Sequence, residues 1–354
     1  MKVALVAPLP PFRGGIAQHS AQLAKALIAT QHNITLYSWR SQYPKMFYRR
    51  PEIDTSVTAF SDAEKVLQWW NPFSWISLGK KLRHADLIIF PWTVPFHAPH
   101  YLTMMSISKT PAVLMVHNAL PHEPFPAARF LARQVFKRSS RLVTHARSVA
   151  NDCKKLAEEV DSLVVDHPLN LPVLPSPVPS MPPFRLLALG YLRHYKGTDL
   201  AIEAVAHLKK REKVVHLTVA GEPWDGNQEY WEKYVEELQV DNEVTLKLEY
   251  QSDSDLVDLL SEHHALIAPY RSATQSGVVA LALGAGRPVI ATRVGGLPEV
   301  VTEGVNGALA EPESLESLVE ATLRVYDSFP SLINGNEAKP TSWMHVAIAL
   351  LGED

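Results

Sequence analysis

The sequence predicts an α/β protein of two parallel-sheet domains, and three observations predict it. Short apolar runs alternate with amphipathic segments from end to end, the pattern of successive βαβ units. That alternation breaks once, where seven prolines fall between Pro168 and Pro183, a stretch that neither a helix nor a central strand can hold. At 354 residues and 46% hydrophobic content, the chain can fill one core on each side of such a break.

The elements follow in order. Within 1–170 the strand candidates are Lys2–Ala7, Asn33–Ser38, Asp86–Pro91, Ala112–His117, Arg141–Thr144 and Ser162–Asp166, with helices filling most gaps. Residues 171–183 form the linker. The alternation restarts over 184–335 with Phe184–Leu189, Val214–Ala220, Glu243–Leu248, Ala265–Ala268 and Pro288–Thr292 as strands. Helices near 198–210, 228–239, 253–262 and 276–285 separate them. In the remaining 336–354, the periodic segment Ser342–Leu351 is expected to pack back on the first domain. Ligands of parallel sheets bind beyond the carboxyl ends of the strands, so two sets of such ends facing across a cleft are expected to form the site.

Composition narrows the class further. One cysteine, Cys153, excludes an internal disulfide framework and a multi-cysteine metal site and fits a reducing compartment, so a cytoplasmic location is expected. The first apolar run ends in prolines and reads as a strand rather than a signal peptide. No run of apolar residues is long enough to cross a membrane. The net charge of −3 hides an asymmetry: residues 1–180 hold 20 Lys and Arg against 11 Asp and Glu, the remainder 14 against 26. Without nucleic-acid motifs, a basic first half points to an acidic substrate or an anionic membrane face; the alternative is a solvated surface. Residues 65–83, with tryptophans between terminal cations, have the makeup of an interfacial segment. The competing reading is a helix and loop packed on the sheet, interrupted at Pro72.

Four loops carry the chemistry. Thr274-Gln275-Ser276-Gly277 opens an apolar helix continuing through Val278, where free amides and the positive dipole end favour a phosphate. Gly295-Gly296 lets a second loop approach the same mouth. Gly190 to Thr198 breaks from the first strand of the second domain with Arg193, a bidentate fork, and Lys196, a compact charge, a pairing suited to diphosphate oxygens. Gly14 and Gly15 open the first helix, which carries His19; they either approach a ligand or merely tighten the turn. His117 ends a parallel strand, beside Asn118, where it can bond a sugar hydroxyl or steady developing charge. His122 and Glu123 follow in a proline-flanked loop, whereas His97, His100 and His145 read as structural. Gly284-Ala285-Gly286 stands after a helix and before a strand, the reverse of a dinucleotide fingerprint, and neither a phosphate-loop nor a helical zinc motif is present. Neither a metal nor a cofactor is expected.

In these loops the chain resembles the family-4 retaining glycosyltransferases, of the GT-B fold with two Rossmann-like domains. The likeness rests on Gly14-Gly15, His117-Asn118, Pro121-His122-Glu123, Arg193 with Lys196-Gly197, Ala220-Gly221-Glu222, Thr274–Gly277, Gly286-Arg287-Pro288-Val289 and Gly295–Glu299. It implies that the N-terminal domain holds a glycan or lipid-linked acceptor, with His19, Asn118, His122 and Glu123 near it. The C-terminal domain would hold a nucleotide-diphosphate sugar as co-substrate, with Gly14, Gly15, Gly190 and Thr274 to Val278 around it. Arg193 and Lys196 would neutralise the departing diphosphate beside His117, with no metal. Two departures stand out. Ala273 and Leu281 occupy the places of the family's two glutamates, as in a subset with Thr-Gln-Ser-Gly, and Tyr191 occupies that of its commonest arginine. Epimerisation or hydrolysis of a sugar nucleotide, or a non-catalytic partner role, stays open beside sugar transfer in polysaccharide or glycolipid synthesis.

Overall fold

The computed structural model describes residues 1–44, 52–53, 60, 62–121, 125–168, 178–334 and 341–353, in two compact units. Unit 1 comprises 1–170 with 341–354, and unit 2 comprises 171–340.

In unit 1, β1 (Lys2–Val6), β2 (Asn33–Ser41), β3 (Ala63–Gln68), β4 (Leu87–Trp92), β5 (Ala112–Val116), β6 (Arg141–Thr144) and β7 (Ser162–Val164) form one parallel sheet, ordered β3-β2-β1-β4-β5-β6-β7. The helices between them are α1 (Gly15–Ile28), α2 (Pro72–Lys81), α3 (Ala98–Ser108), α4 (Ala128–Phe136) and α5 (Arg147–Leu156). Central strands β4 and β5 are buried at every residue. They read as unbroken apolar runs because helices cover both faces of the sheet. One face packs Phe90, Trp92 and Tyr101 under α2 to α5, and the other packs Val3, Leu5 and Ile89 under α1.

Unit 2 repeats the plan with β8 (Phe184–Leu189), β9 (Val215–Ala220), β10 (Val244–Lys247), β11 (Ala265–Ala268), β12 (Val289–Thr292) and β13 (Gly307–Ala310), ordered β10-β9-β8-β11-β12-β13 and all parallel. Its helices are α6 (Thr198–Lys210), α7 (Gln228–Glu237), α8 (Asp253–Glu262), α9 (Gly277–Gly284), α10 (Leu297–Val300) and α11 (Leu315–Asn334). The last helix, α12 (Trp343–Leu351), belongs to unit 1 and lies on α1, with Val346 and Leu350 among Leu23, Ala24 and Leu27. Ser342 caps it, its hydroxyl accepting from the His345 amide at 3.2 Å.

Strand order reverses direction between β1 and β4 in unit 1 and between β8 and β11 in unit 2. At such points neighbouring crossovers leave on opposite faces and open a crevice at the carboxyl ends. The loops after β8 and β11 are residues 190–197 and 269–276, two of those singled out by their chemistry.

Three sequence expectations need correction. β3 and β13 were not expected as strands, and both are sheet edges: β3 (AEKVLQ) alternates weakly, and β13 (GALA) has no β-branched residue. The helix and loop read over residues 65–83 are the end of β3, a turn and α2, with Trp69 and Trp75 packed against the core, and Pro72 opens α2 rather than interrupting the segment. Trp75 Nε1 donates to Gln68 O at 2.8 Å, while Trp70 stays exposed. Ser162–Asp166 contracts to three residues at the other edge. Of the linker, 171–177 lie outside the described residues.

Candidate active site

Glycines let the unit 2 loops close on one another. Gly190 (φ +104) and Gly221 (φ +139) touch so closely that a Cβ on Gly221 would stand 2.4 Å from Gly190 O. Beyond them the two segments pair: Leu192 N donates to Glu222 O and Trp224 N to Leu192 O, both at 2.9 Å. This brings Trp224 under Arg193, whose guanidinium carbon lies 3.4 Å from the ring centre. Such stacking fixes the plane of the fork.

The loop after β11 holds the next part. Arg271 N donates to Tyr195 O and Arg271 Nη1 to His194 O, both at 2.7 Å. The same guanidinium grips Asp199 through two bonds of 2.9 and 2.6 Å. Burial works to raise the Asp199 pKa, but these bonds outweigh it and hold the carboxyl below its ordinary value. Gly197 (φ +65) lies against Pro269, where a Cβ would come within 2.1 Å of the carbonyl oxygen. The Lys196 loop is thus bolted to the strand end across the reversal.

Lys196 turns inward. Its Nζ donates to Leu189 O at 3.3 Å and lies 5.4 Å from the centre of the Tyr270 ring. The residue keeps partial exposure, yet protein crowds the ammonium enough that desolvation, with the nearby Arg193 charge, lowers its pKa. Tyr270 OH in turn meets Ser276 Oγ at 3.2 Å, and Ser276 Oγ caps α9 by accepting from Val279 N at 3.3 Å. Val278 sits 3.8 Å from where a Gly190 Cβ would stand. Thr274, Gln275 and Ser276 are half-exposed and Gly277 is exposed, so the mouth of α9 remains open. The Gly295 loop abuts the same turn: Gly296 N donates to Thr274 O at 2.9 Å, and a Gly295 Cβ would fall 1.7 Å from Ala273 O. Leu281 is buried with Val279 and Leu283 in the α9 core, where a carboxylate would have no water.

Unit 1 brings together a second set. Gly14 (φ +100) accepts from Ala17 N and Gln18 N at the start of α1, and the space over Gly14 and Gly15 is open to 4 Å. One turn on, His19 lies 4.5 Å from His117, ring centre to ring centre. His117, with half-buried Asn118 beside it, follows β5 and donates its amide to Trp92 O at 2.9 Å. His145 and His167, which the sequence did not single out as site residues, complete a cluster, with centres 5.1 and 5.9 Å from His19. Trp343 of α12 closes it at 4.7 Å.

The cluster's tautomers follow from its bonds. His145 Nδ1 faces Val165 O at 2.8 Å and must donate, so its Nε2 accepts from His19 Nε2 at 2.8 Å. His19 Nδ1 is then a bare acceptor, buried like His117 Nε2 without a hydrogen-bond partner. Burial drives all four pKa values down, His117 to about 3, so the imidazoles are neutral at pH 7. His122 and Glu123 lie outside the described residues. Among the described residues no group of three or more His, Cys, Asp or Glu side chains could hold a metal ion, and no helix is long and apolar enough to cross a membrane.

Two Rossmann-like parallel-sheet units, each with polar residues gathered beyond the carboxyl ends of its strands, are the architecture of the GT-B class of protein. Residues 13–165 match the profile of Glycosyltransferase Family 4 and residues 183–328 that of glycosyl transferases group 1. The chain is accordingly a GT-B glycosyltransferase carrying a domain of each description. It is 23% identical to the glycogen synthase of Mycobacterium tuberculosis H37Rv over 356 residues, covering 90% of this chain and 84% of that one. Among solved structures it is similar to HepE of Anabaena in complex with UDP and glucose (TM-score 0.71, 16% identity, 99% of this chain, 95% of that one). It is likewise similar to the sucrose-phosphate synthase of Thermosynechococcus elongatus (TM-score 0.75, 14% identity, 99% and 94%).

Proposed function

We propose that the chain moves a sugar, with retention of anomeric configuration, from a nucleotide-diphosphate donor to a glycan or lipid-linked acceptor. The observation that carries this reading is the convergence of Arg193, Lys196 and the Ser276-capped start of α9 at the unit 2 reversal. Two cations and a helix N-terminus suit two phosphates. The likeness to HepE, a structure with UDP and glucose bound, supports the same class of donor.

In this reading the bond from the anomeric carbon to the diphosphate oxygen breaks, and its electron pair leaves with the diphosphate. The acceptor oxygen bonds the anomeric carbon from the same face and passes its proton to the departing oxygen. Arg193 and Lys196 stabilise the negative charge that develops there. Thr274, Gln275 and Ser276 hold the donor sugar where relatives use a carboxylate, and the nucleotide ribose is met without one at Leu281. Neutral His117 offers a lone pair to a sugar hydroxyl, with His19, Asn118, His122 and Glu123 on the acceptor side and Gly14-Gly15 approaching the donor. No metal or cofactor takes part, and the reaction occurs in the cytoplasm or, for a lipid-linked acceptor, at the membrane face.

The test is a thermal-shift screen of UDP, GDP, ADP and their sugars, followed by product analysis with the stabilising donor. Stabilisation by a nucleoside diphosphate and a product of unchanged anomeric configuration are expected. Donor consumed without any acceptor would instead identify an epimerase or hydrolase, and no stabilisation by any nucleotide a non-catalytic partner.

A further inference from the structure

Three large aromatics stand in solvent at one end of unit 1. Trp70 is 58% exposed, Phe73 80% and Phe130 63%. Trp70 lies in the turn before α2, Phe73 in the first turn of α2 and Phe130 in the first turn of α4. Each of α2, α3 and α4 follows the carboxyl end of its strand, so their first turns share one edge of the sheet. Packing joins them there: Trp69 lies 6.1 Å from Phe96 just before α3, Trp75 lies 4.2 Å from His100 within it, and α4 touches residues 95–97. A single exposed aromatic is ordinary; three along one rim mark a surface that meets something apolar.

Charge says what that is. The helices α2, α3 and α4 contain no aspartate or glutamate, and they carry Lys80, Lys81, Arg129 and Arg133. Of these, Lys81 pairs with Glu64, while both arginines are exposed beside Phe130. The exposed aromatic of unit 2 gives the contrast: Tyr230, on α7, stands among Glu229, Glu232, Glu236 and Glu237. An anionic surface repels that helix and attracts the first. Exposed aromatic rings on helices that hold no carboxylate, with Arg129 and Arg133 beside Phe130, suit the interface of a bilayer bearing anionic lipids.

The geometry points to the rim formed by the first turns of α2, α3 and α4 as a peripheral docking face for an anionic lipid bilayer. Trp70, Phe73 and Phe130 enter the headgroup boundary, and Arg129 and Arg133 pair with lipid phosphates. This deepens the lipid-linked branch of the proposed function and rests on it only for the acceptor; vesicle binding without turnover, or turnover without vesicle binding, tells the two failures apart.

The test is co-sedimentation of the full chain with vesicles of phosphatidylcholine alone and of phosphatidylcholine mixed with phosphatidylglycerol, at low and high salt. Binding to the mixed vesicles only, lost as salt rises, is expected. Trp70→Ser with Phe73→Ser, and separately Arg129→Glu with Arg133→Glu, should each weaken it by about tenfold or more. Melting curves verify that the variants fold, and Phe130→Ser substitutes for either that does not. No sedimentation with mixed vesicles at low salt overturns the proposal. So does binding equal to wild type in every folded variant, or retention on heparin with none on vesicles, which makes the partner a soluble polyanion.

Discussion

Lys196 carries its charge where the protein disfavours it, and an incoming diphosphate relieves that. Replacing it with alanine is expected to lower turnover by about 10²–10³, as loss of one preorganised charge typically does, while melting stays at or above wild type. Turnover equal to wild type would remove Lys196 from the site. His117 makes a second prediction at this scale. Between its ordinary value of 6.5 and about 3 the unfolded chain binds a proton that the folded chain refuses. Stability therefore falls as pH drops through that window, by up to about 1.4 kcal/mol per unit for each such histidine, and is flat above it. Denaturation at pH 7 and pH 5 should show a shallower loss in His117→Gln; an identical slope counts against the neutral buried imidazole. Arg193 and Lys196 were legible in the sequence as cations at a strand end. Trp224 and Arg271 were not, because stacking and pairing join residues far apart in the chain, 72 positions apart for Arg271 and Asp199. The cluster was half legible: His117 announced itself by ending a strand, whereas only the topology brings His145 and His167 beside His19.

Among elements, buried strands were the most legible, because β4 and β5 are unbroken apolar runs, and edges the least, because β3 and β13 need only half a pattern. Turns were legible as chemistry but not as contacts. Gly295 read as the residue that lets a second loop come close to the mouth of α9, but only the structure names what it comes close to, Ala273 O. Gly295→Ala should accordingly destabilise unit 2 by roughly 2 kcal/mol or more, through both a forced backbone contact and a positive φ. A urea midpoint equal to wild type would contradict that contact. Arg271→Ala tests the bolt between the 193–197 and 269–271 loops. Its pair with Asp199 is partly exposed, so a modest stability loss of about 1 kcal/mol is expected, alongside a larger fall in turnover; a stability loss with turnover intact would make the bolt purely structural.

On the scale of the whole molecule, each unit has its own two-faced core, so calorimetry should resolve two transitions. Six described histidines are held below their ordinary pKa in unit 1 and three in unit 2. Mild acid should therefore lower the unit 1 transition more steeply, and a nucleoside diphosphate should raise the other; acid moving both alike would argue against that difference. The helix α12 orders these events in time as well. Its Val346 and Leu350 cover Leu23 and Leu27, and Trp343 closes the histidine cluster, yet unit 2 lies before it in the chain. On the ribosome, unit 1 starts first and finishes last. A chain cut after residue 340 holds all of unit 2 yet leaves Leu23 and Leu27 of α1 without their α12 cover, so the apolar stripe of the first helix waits for the last one throughout the synthesis of unit 2.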